Sequence, residues 1–319
     1  MAAGANLRGA GIALVAMAVY ATHDVIIKAL GGTYPSHQIL FFSQLLAFPL
    51  ISVILLGDRS GASLWPQQPA WVALRSAAVV MAGICGFYAF SHLPMAQVYA
   101  ILFSTPLIIT LLSIPVLRER VGAHRWAAVI VGLLGVLIVL RPGQSALTAG
   151  HLAALVGAMS SALAAVLVRK LGASERPVTL LLWPMLGNFM VTGTMLGIDY
   201  VPMGRVDLML AGAISVLGLI GAYLVIRSYH MAEAAVVAPM QYSQMIWAII
   251  FGALLFDELP DLPTLLGAAV IIASGIYIVW REGRGVSANS PVTDARLRPE
   301  TVTSPKSSLL QRLWPSRPA

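Results

Sequence analysis

Long apolar runs separated by short polar joints repeat along the chain from about residue 9 to residue 281. Ten of them approach or exceed the roughly 20 residues that a helix needs to cross a bilayer. They cover about 9–28, 37–57, 71–91, 94–116, 125–141, 149–169, 178–197, 208–227, 232–256 and 263–281. The period-two alternation of a barrel strand is absent from them. A backbone in lipid must satisfy its own hydrogen bonds, so each run is expected to be a helix. Pro106, Pro184 and Pro239 fall inside runs and are expected to kink or interrupt them. The pattern predicts an all-α, polytopic membrane protein with ten transmembrane helices.

Composition removes the soluble alternative. The 319 residues are 58% hydrophobic and 10% charged, with a mean hydropathy of +0.84. A soluble domain is about 25% charged, and no soluble core could hide this much apolar surface. The net charge of +7 does not point to nucleic acid, because the basic residues sit at the edges of the runs and no nucleic-acid motif accompanies them. With ten crossings and cytoplasmic termini, the inside set is Arg8, Arg59, Arg75, Arg118, Arg120, Arg125, Arg169, Lys170, Arg176, Arg227, Arg281 and the tail, against Lys28, Arg141 and Arg205 outside. That asymmetry follows the positive-inside rule and predicts a multi-pass protein of the cytoplasmic (inner) membrane with both termini cytoplasmic. The single cysteine, Cys85, excludes a disulfide framework. The first run is too long for a cleaved leader and reads as a retained helix. Residues 283–319, rich in Ser, Pro, Thr and Arg, read as a disordered cytoplasmic tail.

The two halves echo one another. Glu119 and Glu258 close the fourth and ninth runs and lie 139 apart. Gly83-Ile84-Cys85-Gly86-Phe87-Tyr88 matches Gly218-Leu219-Ile220-Gly221-Ala222-Tyr223 at 135. Lys28-Ala29-Leu30-Gly31 matches Arg169-Lys170-Leu171-Gly172 at 141. Three matches in one order at nearly one offset indicate an internal repeat. Five crossings per copy, an odd number, make the copies inverted, an arrangement found in secondary transporters with the site near the midplane. The copies are expected over 8–143 and 148–282.

These residues also carry a resemblance. Glu119-Arg120-Val121-Gly122 through Arg125-Trp126, Gly132-Leu133-Leu134-Gly135 and Arg141-Pro142-Gly143 stand in the first copy. Ala238-Pro239-Met240-Gln241-Tyr242, Trp247-Ala248, Phe256-Asp257-Glu258-Leu259-Pro260, Gly267-Ala268-Ala269 and Ser274-Gly275 stand in the second. The ordered set resembles the drug/metabolite transporter superfamily, in chains with two EamA-type units. Asp24 with Lys28, Tyr34-Pro35, and Gln38 to Phe42 look like the branch that includes riboflavin and S-adenosylmethionine uptake proteins, which often carry an arginine where this chain has Gln44. The resemblance implies a central cavity lined mainly by spans one, three, four, six, eight and nine.

Ionisable groups inside spans are costly and therefore functional candidates. Asp24 and His23 lie in the first span and Glu233 opens the ninth; these are the proton-coupling candidates. A bland role is open to each: Asp24 pairing with Lys28 four residues on, His23 packing, Glu233 favouring a helix N-terminus. Gln241 and Gln244 share one face of the ninth span, with Tyr242 and Trp247 as flat surfaces beside them. Gln97, Tyr99, Phe103 and Ser104 occupy the corresponding fourth span, and Tyr88 and Tyr223 are a repeat-related pair. These ten are the substrate-binding candidates, with ordinary helix packing as the alternative. The glycine pairs 83/86 and 218/221 are expected to allow close helix approach, Glu119 and Glu258 to be structural, and Trp71, Trp126 and Trp280 to anchor span ends.

The function expected is secondary transport of a small organic metabolite, such as a vitamin, S-adenosylmethionine or an amino-acid-like solute, by alternating access with proton coupling open. No Gly-Lys-Ser/Thr phosphate loop is present, so ATP is not the expected energy source. An intramembrane enzyme would need paired acids or a His-Glu metal motif in spans, and neither occurs. A lipid translocator or a non-transporting scaffold stays as the other class. No cofactor, catalytic residue or metal site is expected. The expected partners are a small-molecule substrate and membrane lipid, with a homodimer left open and no nucleic acid.

Overall fold

Each apolar run folds as helix, and the two that carry the repeat's most polar motifs are broken. The computed structural model describes residues 2–56, 64–118, 122–141, 147–171, 174–175, 177–232 and 234–284. Residues 283 and 284, expected to open the tail, instead end α12, while residues 285–319, Glu119 and Glu233 lie outside the described residues. The first copy holds α1 (Ala2–Gly31), α2 (Ser36–Leu56), α3 (Pro69–His92), α4 (Met95–Leu102), α5 (Thr105–Leu117) and α6 (Ala123–Leu140). The second holds α7 (Ala149–Leu171), α8 (Pro177–Asp199), α9 (Arg205–Met231), α10 (Ala234–Val237), a 3-10 segment (Ala238–Ser243), α11 (Gln244–Phe256) and α12 (Leu262–Arg284).

Among the described residues, seven segments, including Met95–Leu117 taken as one, are long and apolar enough to cross a membrane. The shorter apolar helices Trp126–Leu140 and Leu262–Ile278 lie in α6 and α12. With α2, 21 residues without Asp, Glu, Lys or Arg, they complete ten crossings. The end of the bundle where α1 begins is the near end, and the end where α1 finishes is the far end.

The prolines act unequally. Pro106 removes the N–H that would bond the Leu102 carbonyl, and the chain turns at Phe103 and Ser104. The Thr105 hydroxyl takes over, donating to Leu102 O at 2.6 Å. Pro239 stands in the 3-10 segment of the ninth span, whereas Pro184 sits within an unbroken α8. The two breaks superpose in sequence. Ser104 donates to Ile101 O at 2.6 Å, and Ser243, its repeat-related position, donates to Met240 O at 2.7 Å. α5 ends on Arg118 and α11 on Asp257, at the same offset, both left-handed with φ of 57° and 54°.

Helix packing obeys the same inverted relation. α1 packs on α9, and its counterpart α7 packs on α3; α2 packs on α9, and α8 on α3. α2 with α8, and α6 with α12, pair with their own counterparts. This is the contact pattern of two inverted five-helix repeats. The α6–α12 seam is closed by glycines: a Cβ on Gly267 would lie 2.6 Å from Gly135 O, and one on Gly135 would lie 2.9 Å from Gly267 O. Gly221 likewise admits the Tyr20 ring, 2.9 Å from where its Cβ would stand, whereas a Cβ on Gly86 would meet nothing within 4 Å. Trp71, Trp126 and Trp280 are exposed near helix ends, and Lys170 Nζ lies 3.6 Å from the Trp71 ring centre.

A buried polar centre between the two halves

Asp24, two turns before the end of α1, is 5% exposed. His23 Nδ1 lies 2.7 Å from Asp24 Oδ1. Where Asp24 is ionised it can only accept, so Nδ1 donates to it, and in a neutral ring the lone pair then falls on Nε2. That Nε2 is buried and has no hydrogen-bond partner among the described residues. The Tyr99 hydroxyl of α4 donates to Asp24 Oδ2. One carboxyl therefore joins α1 to the first broken span.

Aromatic rings extend from this centre into the second copy. Tyr99 packs edge-on against Phe90 at 5.3 Å and lies 6.1 Å from Phe103. Phe103 meets Tyr242 edge-on at 5.1 Å. Phe103 and Tyr242 are repeat-related, so the two breaks touch through equivalent residues. The Tyr242 hydroxyl fills a notch at Gly275, where an added Cβ would overlap it. A second group lies beside α1: Trp247 packs against the Met17, Tyr20 and Val225 cluster and is stacked on Phe251 at 5.8 Å. Gln241 Nε2 reaches the Tyr229 hydroxyl at 3.4 Å.

The structure thus brings together His23, Asp24, Tyr99, Phe103 and Tyr242, with Trp247 and Gln241 nearby. Gln97 and Gln244 are half-buried on the two broken spans. Ser104 is buried, its hydroxyl spent on Ile101 O. Tyr88 and Tyr223 stand apart: Tyr88 is stacked on His92 at 3.9 Å, and Tyr223 accepts from Arg227 Nη1 at 3.1 Å. On α3 it is Phe87 and Phe90 that face His23 and Tyr99.

Lys28 does not pair with Asp24, as the i,i+4 spacing allows. Its Nζ lies 2.9 Å from Glu258 Oε1, donates to Leu93 O at 2.7 Å, and stands 5.2 Å from the Phe256 ring centre. Glu258 Oε2 accepts from the Met95 N–H at 3.3 Å. Sequence reasoning assigns Glu258 a structural role and finds no partner for it, because the partner stands far off in the chain, in the other copy. It likewise places Arg75 with the loop charges, whereas Arg75 is 1% exposed and donates to Leu180 O of α8. Its position two turns inside α3 is the available signal.

At the far end Asp261 opens α12: its Oδ1 accepts the Thr264 N–H at 3.1 Å and its Oδ2 pairs with Arg141. The Thr264 side chain foremost, then the Arg141 guanidinium and the Thr264 N–H, hold this carboxyl below the usual carboxylate range. Tyr34, between α1 and α2, donates to Asp207 Oδ2 at 2.7 Å, which raises its phenol.

The chain is similar to an S-adenosylmethionine uptake transporter of Rickettsia bellii, at 25% identity over 88% of this chain and 96% of that protein. It is similar to a pseudopaline exporter of Pseudomonas aeruginosa, at 25% identity over 85% and 95%. It is also similar to a riboflavin transporter of Vibrio cholerae, at 29% identity over 78% and 84%. A solved crystal structure superposes with a TM-score of 0.59 at 16% identity, covering 90% of this chain and all of its own, which supports the fold. The model of the EamA-like transporter family matches residues 7–141 and again 148–281. This chain therefore belongs to the EamA-like transporter family, as a multi-pass membrane transporter of small metabolites.

Proposed function

We propose that the chain moves one small organic metabolite across the cytoplasmic membrane by alternating access, coupled to protons through His23, Asp24 and Tyr99. The observation that carries this reading is the buried carboxyl shared between α1 and the first broken span. Buried ionisable groups at membrane depth are expensive and persist where they serve transport. His23 Nε2, with its lone pair free of any described partner, can accept a proton. The imidazolium so formed stays paired with the Asp24 carboxylate, and Tyr99 supplies the second donor. Neutralising this centre changes what α1 and α4 hold between them, and that links proton occupancy to a change in helix packing.

The aromatic run from Tyr99 through Phe103 to Tyr242 supports a planar or weakly polar solute. The relatives, named for S-adenosylmethionine, pseudopaline and riboflavin, support the class of small organic metabolites. The distribution of Lys and Arg supports cytoplasmic termini, which makes the near end cytoplasmic and the far end external.

The test is uptake by proteoliposomes of a labelled panel containing riboflavin, S-adenosylmethionine, amino acids and nucleosides, with and without an imposed pH gradient. Saturable uptake that responds to the gradient in the parent and not in Asp24→Asn is expected. An Asp24→Asn protein that retains the gradient response would remove the coupling role.

A further inference from the structure

The two ends of the bundle are not closed alike. Some contacts recur at both. At the far end Tyr34 and Gln38, around the α1–α2 joint, bond Asp207 at 2.7 Å and Val201 O at 2.6 Å. At the near end the repeat-related joint before α8 offers Glu175 and Ser174 to Gln68, at 2.5 and 3.0 Å. Tyr34 and Glu175 are 141 apart, the offset of the repeat itself. Contacts present in both copies belong to the frame, because the copies of an inverted repeat exchange conformations when access alternates.

Other contacts occur once. At the far end α1 packs on α3 and α4 packs on α11. The repeat-related pairs at the near end are α7 with α9, and α5 with α10 and the 3-10 segment. They show no comparable packing among the described residues. The single-copy contacts at the far end converge on Lys28 and Glu258. Lys28 ties α1 to α3 through Leu93 O, and Glu258 ties α11 to α4 through the Met95 N–H. The 2.9 Å ion pair joins the two ties. Lys28 stands one turn of α1 beyond Asp24, between the buried centre and the far end. Glu119, the repeat-related position of Glu258, lies outside the described residues.

We propose that the Lys28–Glu258 pair is the gate at the far end, shut in this structure, and that the chain is therefore open toward the near end. The proposal rests on the alternating-access reading. Opening the gate requires one ion pair and two backbone hydrogen bonds to break together, while the frame contacts at both ends stay made. The pair is part-buried, with side chains 9% and 25% exposed, so losing one partner strands the other charge and favours separation of the four helices.

The test needs no transported substrate. A Gln244→Cys reporter, at a half-buried position of the second broken span, is placed below the gate in a Cys85→Ala background, and an amino-terminal tag fixes which face carries the near end. A membrane-impermeant maleimide is applied to each face of oriented vesicles. Slow labelling from the far face and fast labelling from the near face are expected. Lys28→Gln and Glu258→Gln should each speed far-face labelling roughly tenfold or more. The double variant should be no faster than the single ones, because the two residues act as one pair. Glu258→Gln, the more exposed change, keeps the test valid if Lys28→Gln fails to fold. Unchanged far-face labelling in folded single variants overturns the gate and leaves the transport reading to the uptake assay. Protection from the near face overturns the inward opening and the proposal with it.

Discussion

The two broken spans share a shape and differ in chemistry. Ser104 and Ser243 make the same backward hydrogen bond, Arg118 and Asp257 adopt the same left-handed end, and both pairs stand at the offset of Glu119 and Glu258. Yet the residue at the Tyr99 position in the second copy is Ala238, and Phe103 is replaced by Tyr242. The shared positions set backbone geometry. The unshared ones carry polar atoms, and each polar atom has a setting that its counterpart lacks. Tyr99 meets Asp24. The Tyr242 hydroxyl enters the Gly275 notch, while the position equivalent to Gly275 in the first copy is buried Val136, in a unit whose phenylalanine has no hydroxyl to house.

The largest effect expected from breaking this difference is at Tyr99. Tyr99→Phe removes a donor from a buried carboxyl without changing the ring. Hydrogen bonds to charged groups contribute about 1.5–3 kcal/mol, so initial uptake rates in proteoliposomes should fall roughly ten- to a hundredfold. An unchanged rate with an unchanged pH response would mean that Asp24 and Tyr99 are joined for packing alone. Next in size is Gly275→Ala, whose Cβ would overlap the Tyr242 hydroxyl. Overpacking of this kind costs about 1–3 kcal/mol. Thermal unfolding in detergent should show it, and Tyr242→Phe in the same chain should return part of the loss. If Tyr242→Phe returns nothing, the notch is not what the glycine is for.

How much of this was legible in the sequence follows from what periodicity and offset can report. Hydropathy located all ten crossings because lipid acts on each segment separately. The near-constant offset located the repeat because it compares the chain with itself. Pro106 and Pro239 marked the broken spans, but Pro184 looked the same and left α8 whole. What one copy presents to the other carries no such signal. Lys28 has an acidic neighbour one turn back in its own helix and pairs instead with Glu258, near the end of the ninth span. Tyr99 was legible as a polar aromatic facing inward, and its bond to Asp24 was not. Tyr88 and Tyr223 were legible as a symmetric pair, and symmetry alone did not say which face of α3 or α9 they occupy.

A smaller contrast separates the starts of α6 and α12. Asp261 caps α12 through Thr264, whereas Gly122, at the equivalent position of the first copy, caps α6 with no side-chain bond. Asp261→Ala should cost about 1 kcal/mol near neutral pH. The native carboxyl is held low, so its contribution is present above the unfolded value of about 3.9. It is lost as pH falls through the lower folded value, and the gap between parent and variant should close there. Gly122→Asp, with nothing within 4 Å of its Cβ, should gain a few tenths of a kcal/mol. Thermal shifts of both variants against pH check the pair.

The smallest effect probes what the copies share. Arg118 and Asp257 both hold positive φ, which costs an ordinary side chain about 1–2 kcal/mol and Asp less, because its short polar group fits that region. Glycine removes this strain but gives up about 0.5–1 kcal/mol of backbone entropy. Arg118→Gly should therefore raise stability by about 0.5 kcal/mol. Asp257→Gly should leave it near the parent value, with Arg118→Ala, which keeps the strain, as the control. Equal gains at both positions would mean that the side chains are bystanders and the turn alone was duplicated. A loss at Arg118 would show that its guanidinium does something at the end of α5 that outweighs the strain it is held in.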